Sequence, residues 1–485
     1  MTVWISRRPD RDVASELAAG RGPLAGIRLA VMDDVDVAGL PTTAACPEFT
    51  YLPDRDAAAV TALRAAGAVV VGKTNMDQFV SGGAGSGAAV AVAAGDADIA
   101  IVSGAAESGR IPAAMQGIVA ITPTSGVLST EGVVPAHEPR VSLLASGIAL
   151  ADRAMAVLAA EPGDRRWPAD TRLAAPPNPV VAVPRDLSAP DPTWREAFAR
   201  AVGTLSDAGA AIVELDVGPF LAAGAPAAAV TGSRDRTAHE VNRDRAEVFR
   251  LRRLALAALE GADVLLVPTA PTHPRIDEAA ADPVGVDAAL GTFTDFCDVF
   301  DMCGVAVPAG TASDAQFGVT VLARAFEDAV ALDVATMLTG GSAPVDVWPL
   351  AALHCVELVV FGAHLRGGPL AHQLTDRGAR FAGEIATAPR YRMTALDTAP
   401  PKPAVTRVRD GTPGSALTGH RWLLSTGALG AFLAALPAPM QLGKVEMADG
   451  TWRTGFGCDG EAAAAGTDLS GYGSWTAALA QGAVG

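Results

Sequence analysis

The chain has 485 residues, half of them apolar, a formal net charge of −16 and a pI near 4.9. This length exceeds what one hydrophobic core usually supports, which predicts one large domain and a smaller one. The acidic balance argues against nucleic acid or an anionic membrane as partner, because both require clustered Lys and Arg. The sequence opens without a signal-like segment and has no apolar run of membrane-spanning length, so we expect a cytoplasmic protein.

Cysteine usage supports the same expectation. The five cysteines are odd in number, scattered and without the spacing of a metal site. Reduced thiols of a cytosolic protein fit this pattern best, and we expect no metal ion and no cofactor. The cysteines are Cys46, Cys297, Cys303, Cys355 and Cys458.

The first third of the chain reads as alternating strands and helices. Residues 1–22 predict a strand and a short helix that ends at a glycine. The segment PLAGIRLAVMDDVDV, residues 23–37, predicts a buried strand with Met32 at its end, where α/β proteins place their chemistry. On the residues alone Met32 is an ordinary core side chain. A helix from about Asp56 to Ala66 and a strand over Ala68 to Gly72 follow.

Residues 82–110 are dense in glycine and alanine and predict a binding-loop framework, because such a segment suits close approach of the backbone. Between Val90 and Ala100 an apolar run predicts a buried helix and strand. Ser108 should then lie in a sharp turn before a helix or turn that starts near Pro112. A serine before glycine and arginine is, by itself, usually only a turn.

Further along, the pattern predicts parallel strands. From residue 179 a strand, the helix WREAFARAVGTLSDAGA and the strand AIVELDV form a βαβ unit. DVLLVPTAP, residues 263–271, reads as another buried strand. The expected fold class is α/β, with helices on both faces of the sheet.

Domain boundaries follow from composition. Residues 388–403 are rich in proline and predict a linker after a large domain of residues 1–387. Residues 404–485 contain short alternating segments typical of a small second domain. Within it, residues 448–451 predict a hairpin turn between two strands.

Two stretches, GAGSGAAVAVAAG and ESGRIPAAMQGIVAITPTSGVLSTEGVVP, resemble the signature region of the amidase signature family, and within it the allophanate hydrolases. The similarity extends from Val3 to Leu479. It implies a mixed central sheet covered by helices on both faces, followed by a small α+β C-terminal domain.

The resemblance also implies a catalytic triad of a lysine, a bridging serine and a nucleophilic serine. Aligned on these motifs, Ser108 occupies the nucleophile position, Met32 the lysine position and Ala84 the bridging-serine position. A serine hydroxyl is a weak nucleophile without an adjacent base, and neither a thioether nor a methyl group relays a proton. Lys73, in the sequence GKTN, is the nearest alternative base, although it also fits an ordinary loop lysine.

The oxyanion and substrate region departs from the family pattern as well. Ala105, Ala106 and Glu107 precede the nucleophile position, and a carboxylate there would oppose a developing oxyanion. Ala289 stands where relatives carry an arginine suited to a substrate carboxylate, and Phe293 where they carry tyrosine. The family also has a segment after the equivalent of Val80 that this chain lacks, and a longer turn before Arg140.

The C-terminal domain of relatives is implicated in decarboxylating the amidase product. His420 is the only histidine of residues 404–485 and a candidate proton donor, although a lone histidine is more often structural. His364, His372 and Gln373 match the subfamily strongly, and we interpret them as structural hydrogen-bonding residues. Relatives are commonly homodimers, so a homodimer is expected here too.

Three hypotheses remain from the sequence. The chain is an inactive or strongly impaired amidase that binds a small molecule or a partner protein. Alternatively, it is a working hydrolase of allophanate or a related urea derivative, producing ammonia and carbon dioxide in nitrogen metabolism. In the third, only the C-terminal domain is active, on N-carboxy products.

Overall fold

The computed structural model describes residues 2–76, 86–104, 106–134, 140–159, 161–187, 192–224, 226, 237–340 and 348–483. The chain divides into two compact units. Unit 1 comprises residues 1–167 and 178–352, and unit 2 comprises residues 168–177 and 353–485. No helix within the described ranges is long and apolar enough to cross a membrane.

Unit 1 is built on a sheet of eleven strands among its described residues. Their order across the sheet is β1-β3-β2-β4-β6-β5-β10-β11-β9-β7-β8. The strands are β1 Trp4–Arg7, β2 Arg28–Met32, β3 Val69–Thr74, β4 Ile99–Ser103, β5 Val119–Thr122, β6 Val141–Ala145, β7 Val180–Pro184, β8 Ala211–Leu215, β9 Val264–Pro268, β10 Met302–Ala312 and β11 Ala315–Arg324.

The sheet is mixed. Strand β2 pairs in parallel with β3 and β4, and β7 pairs in parallel with β8 and β9. The central strands β6, β5, β10 and β11 pair antiparallel with their neighbours. The predicted mixed α/β class is confirmed, and so is the predicted βαβ unit over β7 and β8.

The helices of unit 1 pack against this sheet through apolar stripes. In Pro192–Asp207 the buried residues recur at helical spacing, namely Trp194, Ala197, Phe198, Ala201 and Leu205. The helices of the unit are α1 Asp10–Ala19, α2 Ala58–Ala65, α3 Gly87–Ala93, α4 Ile111–Gln116, α5 Ile148–Leu158, α6 Pro192–Asp207, α7 Gly218–Leu221, α8 Ala238–Ala258, α9 Ile276–Ala281, α10 Pro283–Leu290, α11 Phe296–Val299 and α12 Asp328–Leu338.

Unit 2 has two sheets among its described residues, with strand orders β13-β16-β12-β18-β17 and β15-β14-β19. Its strands are β12 Cys355–Val360, β13 Arg380–Ala386, β14 Tyr391–Leu396, β15 Lys402–Arg407, β16 Thr418–Ser425, β17 Met440–Glu446, β18 Trp452–Cys458 and β19 Thr467–Asp468. Its helices are α13 His372–Thr375, α14 Thr426–Ala434, α15 Gly460–Ala465 and α16 Trp475–Ala480.

The boundary between the units differs from the predicted one. Residues 353–387 belong to unit 2, because β12 and β13 both pair with β16. The predicted linker, residues 388–403, contains β14 and the start of β15 instead of an extended connection. The hairpin turn at residues 448–451 does connect β17 to β18.

Candidate functional site

The parallel strands β3, β2 and β4 lie side by side, so their carboxyl ends meet at one edge of the sheet. We refer to this edge as the β2 edge. It brings Lys73 on β3, Met32 to Asp34 at the end of β2, and Ser103 on β4 together. Ligand sites of α/β folds are found at such carboxyl ends. This is the region in which the sequence placed its candidate catalytic groups.

Asp33 is fully buried and is held by the loop that follows it. Its Oδ2 accepts hydrogen bonds from the backbone N–H of Thr43 at 3.1 Å and of Ala45 at 3.2 Å, and from the Thr43 hydroxyl. Ala44 and Ala45 adopt left-handed backbone conformations, with φ of 48° and 56°. Such conformations cost about 1 to 2 kcal/mol per non-glycine residue, so the loop geometry around this carboxylate is maintained against strain.

Lys73 is the buried ammonium of the β2 edge, with no exposed surface. Its Nζ donates to the carbonyl oxygen of Asp33 at 3.2 Å and to Oγ1 of Thr42 at 3.3 Å, and it lies 3.9 Å from Oδ1 of Asp33. Burial lowers the pKa of Lys73 to about 8, although the nearby carboxylates of Asp33, Asp34 and Asp36 oppose the shift. Interpreting Lys73 as an ordinary loop lysine is therefore wrong.

Met32 and Asp34 complete the end of β2. The Met32 side chain is 2% exposed and lies opposite Thr74 of β3, so its thioether is a core group. The Ser103 hydroxyl donates to Oδ2 of Asp34. Burial raises the pKa of Asp34, while the bond from Ser103 acts in the opposite direction. The polar groups at this edge thus bind mainly to one another.

Ser108 lies in the predicted sharp turn, a π-helical turn over Ala106–Arg110 that follows β4 and precedes α4. The chain enters it through Gly104, whose φ is +84°, and a β-carbon built there would lie 3.6 Å from Oγ of Ser108. The Gly104 carbonyl accepts from the Ser142 hydroxyl at 2.7 Å. Within the described residues, Oγ of Ser108 makes no hydrogen bond with Lys73 or any other side chain.

Several predicted residues cannot be assigned a geometry. Ala84 and Ala105 lie outside the described residues, and so do the side chains of Ala106 and Glu107. Their predicted roles stay predictions.

The two candidates on the substrate side have different environments. Ala289 lies in the last turn of α10 at an exposed position, and its carbonyl accepts from the Thr292 hydroxyl at 2.6 Å. Phe293 is 1% exposed and packs in an apolar cluster with Phe296 and Phe300. Phe293 is therefore part of the core of unit 1.

In unit 2, His420 has a structural environment. Its Nδ1 accepts from the backbone N–H of Arg366 at 2.8 Å, and its ring packs edge-on against Phe381 at 5.2 Å. Its Nε2 lies 3.8 Å from Oε1 of Glu384. Burial lowers the pKa of His420, with Glu384 opposing the shift. These contacts tie β16 to β13 and to the chain after β12.

A different histidine lines a cavity in unit 2. His364 follows β12, is 6% exposed, and stacks on Phe456 with ring centroids 5.0 Å apart. Its Nε2 lies 2.9 Å from Oε1 of Gln373, an acceptor, so this nitrogen carries the proton and Nδ1 has a free lone pair. Burial lowers the pKa of His364, which favours the neutral imidazole, while the hydrogen bond with Gln373 acts in the opposite direction.

The cavity next to His364 has a volume of about 20 Å³. It is lined by Val360, Phe361, Gly362, Ala363, His364, Lys402, Pro403, Met440 and Phe456. This volume holds about one water molecule. His364 and Lys402 are its ionisable groups, and His420 is not among the lining residues.

Sequence reasoning missed this pairing, because His364 lies in the turn after β12 and Lys402 begins β15, 38 positions further along the chain. The available signal was the strong subfamily match at His364, which we interpreted as structural. No group of three or more His, Cys, Asp or Glu side chains in the described part of the chain is arranged to hold a metal ion.

Comparison with known proteins agrees with the fold. The Amidase family model matches residues 4–85 and 78–232, and the model of the allophanate hydrolase C-terminal domain matches residues 356–480. The mixed sheet and the turn of Ser108 after β4 are the features of an amidase-type α/β protein. The chain belongs to the amidase family and carries an allophanate hydrolase C-terminal domain.

Two curated relatives are urea amidolyases. The protein of Lachancea kluyveri is 32% identical over 528 aligned positions, which is 90% of this chain and 28% of the relative. That of Saccharomyces cerevisiae is 31% identical over 549 positions, 94% of this chain and 29% of the relative. The chain therefore spans less than a third of the length of these curated relatives.

The structural comparison covers more of the matched protein. Allophanate hydrolase from Kluyveromyces lactis superimposes with a TM-score of 0.86 and 28% identity, over 99% of this chain and 93% of that one. Both units of the present chain thus have counterparts in one solved structure.

Proposed function

We propose that this chain is an allophanate hydrolase-like protein whose amidase unit is inactive or strongly impaired in amide hydrolysis. The observation that carries the proposal is the state of the candidate bases around Ser108. Met32, at the family lysine position, is an apolar core side chain, and Lys73 hydrogen-bonds to Asp33 and Thr42. A serine without a base in contact is a poor nucleophile.

Lys73 does not substitute for the missing base by its charge state either. With a pKa of about 8 it is mainly protonated at neutral pH, and its donors are directed at the Asp33 carbonyl and the Thr42 hydroxyl. A general base must reach the proton that it removes, directly or through one water. The lost bridging serine at Ala84 supports the same proposal.

The test is ammonia release from allophanate by the purified protein, compared with Ser108→Ala. We expect no difference between the two, because loss of the base and relay lowers kcat by about 10⁴-fold or more in serine hydrolases. Turnover that disappears in Ser108→Ala would refute the proposal.

A gain-of-function variant makes the test sharper. Met32→Lys combined with Ala84→Ser restores both missing groups of the family triad. Ser108-dependent ammonia release in this variant, but not in the parent, would attribute the impairment to these two positions.

The working-hydrolase alternative has its own discriminating variant. If Lys73 were the base for Ser108, Lys73→Met and Ser108→Ala would abolish the same turnover. We keep hydrolysis of allophanate or a related urea derivative in nitrogen metabolism as this alternative. The family assignment and the retained Ser108 are what favour it.

A second candidate function lies in unit 2. We propose that the cavity beside His364 is the site that acts on N-carboxy products of an amidase. Lys402 offers a positive charge to a carboxylate, and Nδ1 of His364 offers a lone pair to a proton donor. Loss of carbon dioxide from an N-carboxycarbamate breaks one N–C bond, and the electron pair left on nitrogen takes up a proton from a water molecule that Nδ1 of His364 orients by accepting its other hydrogen. The hydroxide left behind adds to the released carbon dioxide to give bicarbonate.

This candidate is tested by generating the unstable product in situ. An active allophanate-cleaving amidase supplies it, and the rate of carbon dioxide formation is measured with and without the present protein. Acceleration that His364→Ala removes supports the proposal, whereas an unchanged rate with the unaltered protein rejects it.

A homodimer in the cytoplasm is part of the same proposal. Among the described residues the five cysteines form no disulfide, which fits a reducing compartment. Light scattering of the purified protein tests the dimer directly, since a monomeric mass would refute it. Fractionation of source cells tests the location.

A further inference from the structure

A loop of unit 1 exposes a group of apolar side chains to solvent. Phe49, Tyr51 and Leu52 are 42%, 38% and 66% exposed, and they lie within four consecutive residues. The rings of Phe49 and Tyr51 pack edge to face, with their centroids 5.7 Å apart. Grouped exposed aromatic residues are typical of protein interaction sites, whereas exposed apolar residues that stand singly are ordinary. We refer to residues 49–52 as the apolar ridge.

An acidic cleft lies beside the apolar ridge. It is bounded by Asp36, by residues 51–56 and by residues 131–132, and its volume is about 310 Å³. This volume is near the lower end of the range of ligand pockets, roughly 300 to 1,000 Å³, and it suits one long side chain. Because Tyr51 and Leu52 line the cleft as well, the ridge and the cleft form one continuous surface.

The carboxylates of the cleft outnumber its cations. Three of them form no ion pair in the described part of the chain, namely those of Asp36, Asp54 and Glu131. The lining contains one arginine, Arg55, so these groups leave a net charge of −2 (−3 + 1). The remaining carboxylate of the lining, Asp56, is already paired with Arg64, with Nη1 3.0 Å from Oδ2. The cleft therefore attracts a cation.

Hydrogen bonds hold the apolar ridge against the wall of the cleft. The Tyr51 hydroxyl donates to Oδ1 of Asp36 at 2.7 Å. The backbones of Thr42 and Tyr51 exchange two hydrogen bonds, of 2.9 and 3.1 Å. Burial raises the pKa of Tyr51 to about 12, and Asp36 acts in the same direction, so this hydroxyl stays a donor at neutral pH. A partner therefore meets a preformed surface, and binding costs little ordering of the loop.

Charge and apolar surface together restrict the occupant. The unpaired carboxylates repel nucleic acid and an anionic membrane. A second copy of this chain carries the same net charge of −16, so its approach to the cleft is opposed on average. A small free cation fits the cleft but leaves the apolar ridge uncovered. A protein segment with a cation beside an apolar side chain covers both.

We infer that the apolar ridge and the acidic cleft bind a segment of a partner protein that carries an arginine or lysine beside an apolar side chain. The cation enters the cleft near Asp54 and Glu131, and the apolar side chain packs on Phe49 and Leu52. Long basic side chains suit such a surface, because their aliphatic stems cover apolar groups while the charge reaches a carboxylate. Neither Ser108 nor His364 lines this surface, so it goes beyond the proposed function.

The test measures binding of a short capped peptide, acetyl-Ala-Leu-Arg-Leu-Ala-amide, to the full chain by ligand-observed NMR titration. A matched peptide has citrulline in place of arginine, which removes the charge and keeps the shape. Acetyl-arginine-amide alone serves as the small cation without apolar neighbours. The three probes separate the contribution of the charge from that of the apolar side chains.

One pair of variants tests the charge of the cleft. Asp54→Asn with Glu131→Gln removes two carboxylates whose side chains are exposed, so the fold should be retained. The matched control is Asp314→Asn with Glu260→Gln, which removes the same charge from two other exposed positions of unit 1. A second pair tests the ridge, with Leu52→Ser as the variant and Ile276→Ser, at a position 91% exposed, as its control.

We expect the arginine peptide to bind the unaltered protein and both controls equally. Its affinity should be about threefold to tenfold weaker in the double carboxylate variant and in Leu52→Ser, and the citrulline peptide should show a similar loss. Absence of binding by the unaltered protein, or equal binding of the citrulline peptide, would overturn the inference. Acetyl-arginine-amide that binds as tightly as the peptide would mark a small-cation site and would overturn it as well.

Discussion

The β2 edge of unit 1 and the cavity of unit 2 both contain ionisable groups in buried surroundings, but those groups are used differently. At the β2 edge, Lys73 hydrogen-bonds to Asp33 and Thr42, and Ser103 binds Asp34. In the cavity, His364 is fixed on one side by Gln373 and keeps its second ring nitrogen available. The polar groups of the β2 edge thus bind mainly to one another, whereas His364 lines a cavity.

The largest expected effect tests whether His364 in the cavity of unit 2 takes part in carbon dioxide release. His364→Ala should lower the acceleration of carbon dioxide formation by about 10² to 10⁴-fold, the usual loss on removing a proton-transfer group. His420→Ala is the matched control, since His420 does not line the cavity. The comparison fails if His420→Ala abolishes the rate and His364→Ala leaves it intact.

The next effect tests whether Lys73 is structural. Lys73→Met should lower the free energy of unfolding at neutral pH by about 3 to 5 kcal/mol, because Asp33 is then a buried carboxylate without its cation. Adding Asp33→Asn should recover part of the loss. Urea unfolding measures both, and the exposed Lys444→Met serves as control. A neutral effect of Lys73→Met would contradict the structural role.

The pH dependence of stability sharpens the same point. The pKa of Lys73 is about 8 in the folded chain and ordinarily 10.5, so between these values the unfolded chain binds more protons. Stability should therefore rise with pH across this window, by up to about 3 kcal/mol from this group. Raised pKa values of the buried thiols of Cys297 and Cys303 oppose the rise at high pH.

The contribution of Lys73 to the pH dependence of stability is the difference between the unaltered protein and the Lys73→Met variant. Urea unfolding of the unaltered protein and of Lys73→Met is followed from pH 8 to pH 10.5, the bounds of the window. The unaltered protein should gain more stability than the variant. Equal slopes would mean that Lys73 titrates near its ordinary value.

The smallest effect concerns Asp295. Burial and the neighbouring Asp287 and Asp298 raise its pKa to about 6 from 3.8, so its charged form disfavours folding above that value. Asp295→Asn should raise stability at pH 7 by about 0.5 to 1 kcal/mol, and the gain should disappear as the pH falls from 6 to 3.8. Thermal unfolding against Asp314→Asn, an exposed control, checks it, and a loss of stability would be the contrary result.

Local patterns in the sequence predicted much of unit 1. The alternation of apolar runs and turn residues located β2, β3 and the turn of Ser108, because burial patterns and turn residues depend on neighbours in the sequence. The environment of Lys73 was not predictable in this way. It depends on the parallel pairing of β2 with β3 and on a loop that returns to Asp33, which are contacts between distant residues.

The predicted linker failed for a related reason. Prolines suggested an irregular connection, but Pro403 lies in β15, opposite Ala395 of β14. Because β15 is at the edge of its three-stranded sheet, a residue without an N–H is tolerated there. Whether a strand is at an edge is a property of the assembled sheet. The same limit applies to His364, whose cavity forms only when its strands are in place.

The composition of unit 2 has a consequence for biosynthesis. Residues 168–177 belong to it. The carbonyl of Ala169 accepts a hydrogen bond from the backbone N–H of Gly427, and the backbone N–H of Leu173 donates to the carbonyl of Gly378. A ribosome adds residues at about 5 to 20 per second, so this segment emerges on the order of ten seconds or more before its partners. During that interval its backbone groups have no native acceptors or donors. In a nascent chain of this protein, residues 168–177 therefore wait for the rest of unit 2 while residues 178–352 of unit 1 are synthesised.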